Sequence, residues 1–268
     1  MNSQGAKMRK KNQLKRRIKN GEYVIGTWCA LPSPSVVNVL GASGLDFVII
    51  DMEHGPTDFV TAEDMIRGAE SEGCSPLVRV PSNSESDILR ALDIGAHGII
   101  VPHIESIADR EKAVSYIKYP PIGIRGFSPY TRAGSYSNLN PNYTTIENQE
   151  TMTVLIVEGI EGMKNLEGII DDPQIDVIYI GTYDLSQATG KSGQVNHPQV
   201  KESLEECVKK IRRKGKVAGC LIHNKDELRW FIEIGVQFIT YLVDDAVLFN
   251  AFSEMKMELD KIRGKTDL

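Results

Sequence analysis

The chain has 268 residues, 41% of them hydrophobic and 25% charged, with a formal net charge of −5 at pH 7. That length suits one large domain with an ample core, and the acidic balance argues against a general nucleic-acid binder. No apolar run approaches the ~18 residues of a membrane span and no signal-peptide pattern is present, so neither membrane insertion nor secretion is expected. Cys29, Cys74, Cys207 and Cys220 are scattered without a C-x-x-C pair. They read as reduced cytoplasmic thiols rather than disulfides or a zinc site.

The first segment is basic: Lys7, Arg9, Lys10, Lys11, Lys15, Arg16, Arg17 and Lys19 surround Leu14 and Ile18, which lie four apart. A helix within residues 1–20 with this pattern could serve a nucleic-acid or membrane surface. The acidic remainder favours a solvated helix closing the bottom of a barrel. Short apolar, β-rich runs follow at Tyr23–Trp28, Asp46–Ile50, Pro76–Val80, Gly98–Val101, Thr153–Val157, Asp176–Ile180, Val217–Ile222 and Gln237–Val243. Runs apolar on both faces suit a parallel sheet covered by helices. The helices lie between them. Ser84-Glu-Ser-Asp87 is a capping-box start for a helix through Ile88 and Leu92, and Glu202–Arg213 places Leu204, Val208 and Ile211 on one face. Eight β–α alternations predict an α/β protein, a closed (β/α)8 TIM barrel forming one domain over residues 1–268. Residues 119–148, rich in Pro, Gly, Tyr and Asn, break the rhythm and are expected to be an active-site loop.

In such a barrel, chemistry is mounted at the C-terminal tips of the strands. The second run ends in Asp51-Met-Glu53-His54, the third in Arg79, the fifth in Glu158, and the sixth passes through Gly181 to Asp184. Glu158 and Asp184 suit a hard divalent cation, since Mg2+ or Mn2+ prefers oxygen donors and keeps water and substrate in its shell. Either carboxylate alone could equally be a helix cap or an ion-pair partner. Arg79 could be a buried ion-pair partner or a binder of a carboxylate or enolate oxygen. His54 could be structural or an acid–base group oriented by Asp51, Glu53 or Asp93, which ends a later helix. His97 precedes the fourth strand, on the side away from chemistry. His103, after that strand, is a weaker candidate, and His197 and His223 lie in polar loops.

The chain resembles the HpcH/HpaI aldolase family, metal-dependent class II pyruvate aldolases of the phosphoenolpyruvate/pyruvate barrel superfamily. The likeness runs from about Gly21 to Phe252. It is carried by Gly26-Thr-Trp28, Asp46-Phe-Val-Ile-Ile-Asp-Met-Glu-His54, Leu77-Val-Arg79, Tyr119-Pro-Pro-Ile-Gly-Ile-Arg-Gly126, Glu158 through Met163-Lys-Asn-Leu166, and Gly181 with Asp184-Leu-Ser186. The resemblance implies that Glu158 and Asp184 hold the metal (Mg2+ or Mn2+, with Co2+ possible). Arg79 then binds the keto oxygen, and His54, linked to Asp93 and supported by Asp51, handles the proton. Trp28, Gly181, Tyr183 and Arg125 join Arg79 in the substrate-binding set. It also implies cleavage of a 4-hydroxy-2-oxoacid to pyruvate and an aldehyde through a metal-bound pyruvate enolate. The expected assembly is a homo-hexamer or homotrimer with the last helix exchanged between subunits and active sites near interfaces.

Three walls depart from the family pattern: Ile156 replaces a glutamine, Gly159 a threonine, and Thr182-Tyr183 the usual Pro-Ala. The ligands stay while the surroundings change. Oxaloacetate decarboxylation or a citrate-forming condensation is therefore an alternative, and a non-catalytic scaffold a weaker one, since a scaffold needs none of Glu158, Asp184, Arg79 and His54.

Overall fold

The apolar runs become eight parallel strands: β1 Val24–Cys29, β2 Phe47–Asp51, β3 Ser75–Arg79, β4 Gly98–Ile104, β5 Met152–Val157, β6 Val177–Ile180, β7 Val217–Ile222 and β8 Val236–Val243. They are hydrogen-bonded in sequence order and β8 closes on β1. The structure, a computed structural model, describes residues 12–138 and 141–264. Its helices are α1 Gln13–Lys19, α2 Pro34–Ala42, α3 Phe59–Ser71, α4 Glu85–Asp93, α5 Ile107–Ile117 and α6 Tyr143–Glu150. They continue with α7 Gly159–Lys164, α8 Leu166–Ile170, α9 Thr182–Ala188, α10 Pro198–Arg213, α11 Lys225–Ile234 and α12 Asp244–Ile262. None of the described helices is long and apolar enough to cross a membrane.

The strands read as unbroken apolar runs because both faces are buried. Val48, Ile50 and Val78 face the helices, whereas Phe47, Ile49, Leu77 and Phe238 fill the barrel interior. Phe47 and Phe238 stack with ring centroids 4.1 Å apart. Gly26 lets β1 pass that pair, since a Cβ there would sit 2.3 Å from the Phe47 carbonyl oxygen and 2.5 Å from its ring.

Helix α1 closes the bottom. Leu14 and Ile18 are buried in the interior cluster, Lys15 Nζ lies 2.9 Å from Asp176, and Arg17 pairs with Glu22 and Asp46. These cations complete the barrel floor rather than present a free basic surface. Lys7, Arg9, Lys10 and Lys11 fall outside the described residues.

The described residues of the 119–148 segment, 119–138 and 141–148, do not reach the barrel mouth within the chain, contrary to expectation. A helix that follows a strand returns the chain to the N-terminal end of the barrel, so an insertion between α5 and β5 must start there. Its contacts agree. Arg125 donates to Asp93 at 3.0 Å, Ala133 N–H to the Asp93 carbonyl at 3.1 Å, and Arg132 to Glu70, all at the C-terminal ends of α3 and α4. Lys118 is fully buried there, with Nζ 3.0 Å from the carbonyls of Asn148 and Thr151, and burial helped by nearby Lys15 pulls its pKa down to about 7.

Glu70 clamps this segment to α3. Burial alone would raise its pKa, but hydrogen bonds from His97 and Arg132 outweigh that and hold it at about 2. A folded pKa below the unfolded value of 4.5 adds stability at pH values above 4.5, and this is lost as pH falls toward 2. In urea unfolding at a series of pH values across that window, Glu70→Gln should lose less stability than the wild type. Parallel losses would show that the clamp carries no linked proton.

Candidate active site

A cavity of about 570 Å³ opens at the C-terminal ends of the strands. Its floor is aromatic: Trp28 Nε1 donates to Thr240 Oγ1 at 3.1 Å and to Tyr179 Oη at 3.3 Å, and Tyr179 and Thr240 share a 2.6 Å hydrogen bond. These polar tips satisfy one another inside an otherwise apolar interior.

Above the floor lies an ionic clasp. Asp51 ends β2 and Arg79 ends β3, and the two are register neighbours. Arg79 Nε donates to Asp51 Oδ1 at 2.9 Å, one Nη donates to Oδ2, and the other Nη lies 3.0 Å from Glu53 Oε2. The guanidinium also sits 4.4 Å from the centre of the Trp28 ring, a desolvated cation–π contact that fixes its plane. Asp51 Oδ1 accepts the backbone N–H groups of Glu53 and His54 at 2.9 and 3.2 Å. Asp51 thus supports the main chain of His54 and not its ring, which lines the cavity from an exposed rim position.

Glu158 stands at the N-cap position of α7 and Asp184 in the first turn of α9. Both line the cavity. The Asp184 carboxylate folds back over Gly181, where a Cβ would come within 2.8 Å of Oδ2. Gly181 therefore makes room for the carboxylate. Burial first, then the charges of Asp184 and Glu53, raise the Glu158 pKa, with His103 opposing. A group of carboxylates under mutual repulsion is one that a cation relieves. Among the described residues no three His, Cys, Asp or Glu side chains converge on one cation position. The two carboxylates match a hard metal that draws the rest of its shell from water and substrate, so the residues fit Mg2+ or Mn2+.

His103 enters the site more fully than its sequence position suggested. The register of β4 against β5 shifts between Val101 and Ile104, and His103 takes a left-handed backbone with φ +58°. Such strain in a non-glycine residue persists where surrounding contacts over-determine it. Here the ring lies between two acids, Nε2 2.8 Å from Glu53 and Nδ1 2.8 Å from Glu158. The available signal was its place just past the apolar run of β4, the kind of position that yielded Arg79 and Glu158.

Other expected residues lie elsewhere. Asp93 ends α4 at the opposite end of the barrel and pairs with Arg125 there, so neither meets His54 within one chain. Burial raises the Asp93 pKa against the pull of Arg125. Tyr183 is exposed on the rim, its hydroxyl 3.5 Å from His223 Nε2. Ile156 packs into the interior cluster beside Trp28 and Tyr179. His97 bonds Glu70 at the bottom, and His197 caps α10.

A parallel (β/α)8 barrel carrying a carboxylate pair, an anchored arginine and histidines at one mouth defines an enzyme. The sequence profile of the HpcH/HpaI aldolase/citrate lyase family matches residues 24–251. A pyruvate aldolase of Rhizobium etli is 35% identical over 88% of this chain and 93% of its own length. A 5-keto-4-deoxy-D-glucarate aldolase of Enterobacter sp. (strain 638) is 32% identical over 91% and 95%. Among solved structures, citrate synthase SbnG superposes with a TM-score of 0.84 at 29% identity, covering 94% of this chain and 99% of that one. The chain belongs to the HpcH/HpaI aldolase/citrate lyase family.

The clasp yields a stability test. Asp51→Asn weakens a largely buried pair and leaves Arg79 only partly matched, which should cost about 3 kcal/mol in urea unfolding. A loss below about 1 kcal/mol would mean the mouth is held by other contacts.

Proposed function

We propose that the chain is a divalent-metal-dependent aldolase, an aldehyde-lyase that reversibly cleaves a 4-hydroxy-2-oxoacid into pyruvate and an aldehyde. The observation that carries this reading is the meeting of Glu158 and Asp184 with Arg79 in one cavity over the Trp28–Tyr179 floor. The aldolases named among its relatives support it.

Glu158 and Asp184 would hold Mg2+ or Mn2+. When bound, that ion supplies Lewis-acid polarisation of the 2-oxoacid. Arg79, whose plane is set by Asp51 and Trp28, presents its remaining N–H groups to the keto oxygen, where negative charge develops. In the cleavage direction the C4 hydroxyl proton leaves its oxygen for the His54 imidazole, directly or through water. The C3–C4 bond breaks, its electrons pass to the 2-oxoacid fragment as an enolate, and C4 departs as the aldehyde carbonyl. Proton return to C3 completes pyruvate. Trp28 and Ile156 keep the reacting end dry.

A second reading keeps the enolate and changes its electrophile, as in a citrate-forming condensation or oxaloacetate decarboxylation. The likeness to citrate synthase SbnG favours keeping it.

The reading includes a cytoplasmic homo-oligomer, a hexamer or trimer. Helix α12 leaves Phe249 and Phe252 71% and 74% exposed, and Phe127 and Tyr130 stand exposed on the 119–138 segment. Apolar area of this kind ordinarily marks a protein interface. A second copy covering α12, with exchange of the helix, is consistent with it, and would allow Asp93 and Arg125 to approach a neighbour's mouth.

The enolate step is tested by deuterium exchange at the pyruvate methyl, followed by NMR with added Mg2+ or Mn2+. Exchange should appear with metal, stop with chelator, and fall by roughly 100-fold or more in Glu158→Gln while the far-UV spectrum is unchanged. Exchange that persists after metal removal would overturn the metal assignment. For the assembly, Phe249→Glu with Phe252→Glu should lower the sedimenting mass. An unchanged mass would exclude α12 from the interface.

A further inference from the structure

The floor cations that anchor α1 and the 119–138 segment meet carboxylates, and three others do not. Lys19, Arg212 and Lys216 line a second cavity, of about 350 Å³, at the bottom of the barrel beside β6, β7 and β8. None of the three forms an ion pair among the described residues. Lys216 Nζ donates to the carbonyls of Asp172 and Ile175, which leaves one of its three N–H groups. Arg212 Nη1 donates to Gln237 and to the Lys216 carbonyl, and Nε and Nη2 have no hydrogen-bond partner among the described residues. Lys19 stands exposed at the end of α1. Burial first, and then the charge of Lys19, pull the Lys216 pKa down, against Asp176, Asp172 and Asp171. Those carboxylates are engaged elsewhere. Asp176 holds Lys15 and the Thr153 N–H, Asp172 accepts the Gln174 N–H and faces Arg110 at 3.8 Å, and Asp171 holds Lys214.

We propose that this floor cavity binds a small phosphate monoester, its phosphate seated between Lys19, Lys216 and Arg212. Like charges that converge with donors to spare are relieved by an anion, and a guanidinium fork beside two ammonium groups matches a tetrahedral oxyanion. The volume lies in the range of small-molecule sites and exceeds what a bare phosphate fills. Pro173 and Val217 give the organic part an apolar wall. The cavity lies at the end of the barrel away from Glu158, Asp184 and Arg79, so the inference is independent of the aldolase reading. Its lining includes neither the Asp93–Arg125 pair nor α12, the surfaces offered to a neighbouring copy above. Because Lys19 belongs to α1 while Arg212 and Lys216 flank the turn from α10 to β7, a bound phosphate ties the closing helix to the far side of the floor. A ligand that binds only this closed form stabilises it.

The test is calorimetric titration of the Mg2+-loaded full chain with glycerol 3-phosphate, inorganic phosphate and succinate. The ester should bind with a Kd of about 1 mM or tighter, free phosphate a few-fold more weakly, and succinate at least ~10-fold more weakly. Affinity should fall as ionic strength rises. Lys19→Glu changes an exposed side chain and disturbs no contact, so it should keep the ligand-free melting temperature while weakening the ester by at least ~10-fold. Arg212→Gln should weaken it to a similar extent, and Arg79→Gln should leave it unchanged. No binding up to ~10 mM ester overturns the proposal. So does an affinity that survives both Lys19→Glu and Arg212→Gln, or one lost in Arg79→Gln, which would place the anion at the mouth. Succinate bound as tightly as the ester overturns the phosphate assignment. Free phosphate bound as tightly overturns the part given to Pro173 and Val217 and leaves the bare ion as the occupant.

Discussion

The pairing of Asp51 with Arg79 sets the geometry on which the barrel mouth depends. Two adjacent parallel strands end in opposite charges at the same register position, so the pair is positioned by the sheet itself. One carboxylate then performs two tasks, holding the guanidinium flat over Trp28 and gathering the backbone N–H groups of Glu53 and His54. Glu53 is thereby turned toward Arg79 and His103, and His103 reaches Glu158. A continuous ionic path connects the tips of β2, β3, β4 and β5. Its members come from distant parts of the sequence, so the site forms only when the barrel has closed.

The two ends of the barrel treat charge differently. At the bottom, cations and carboxylates are paired: Lys15 with Asp176, Arg17 with Asp46 and Glu22, Arg125 with Asp93, Arg132 with Glu70. Those pairs anchor α1 and the 119–138 segment to the ends of strands and helices. At the mouth, carboxylates outnumber cations, and burial raises the Glu158 pKa further. An unbalanced, half-buried cluster costs stability, and perturbed groups of this kind gather where chemistry is done.

The fold was legible because the strands are buried on both faces over most of their length, which leaves apolar runs that no turn or exposed helix imitates. Trp28, Arg79, Glu158 and Asp184 were legible for a related reason: a polar or aromatic group closing such a run has few places to go except the mouth. His103 was less so. It depends on a bulge between Val101 and Ile104 that no side-chain pattern announces, and its two carboxylate partners lie 50 and 55 positions away by their numbers. The segment 119–148 was assigned to the mouth on its composition, but chain direction decides its place. It follows a helix, so it begins at the floor, and Asp93 and Arg125 belong to that floor for the same reason.

The departures around the carboxylate pair can be read as one coupled change. Gly159 adopts φ +65°, and a Cβ there would lie 2.8 Å from Glu105 Oε1. A threonine would thus face both a left-handed backbone and a collision, so the glycine and the position of Glu105 are mutually dependent. On the strand side, Ile156 gives up a hydrogen-bonding amide and joins the apolar interior. At the rim, Tyr183 leans on His223, which is itself held by Glu227. An amide is absent on the strand side and a phenol hydroxyl present at the rim, while Glu158, Asp184 and Arg79 line the same cavity. The charged set and the neutral walls are thus separate groups of side chains, and a change in the walls leaves the contacts within the charged set in place.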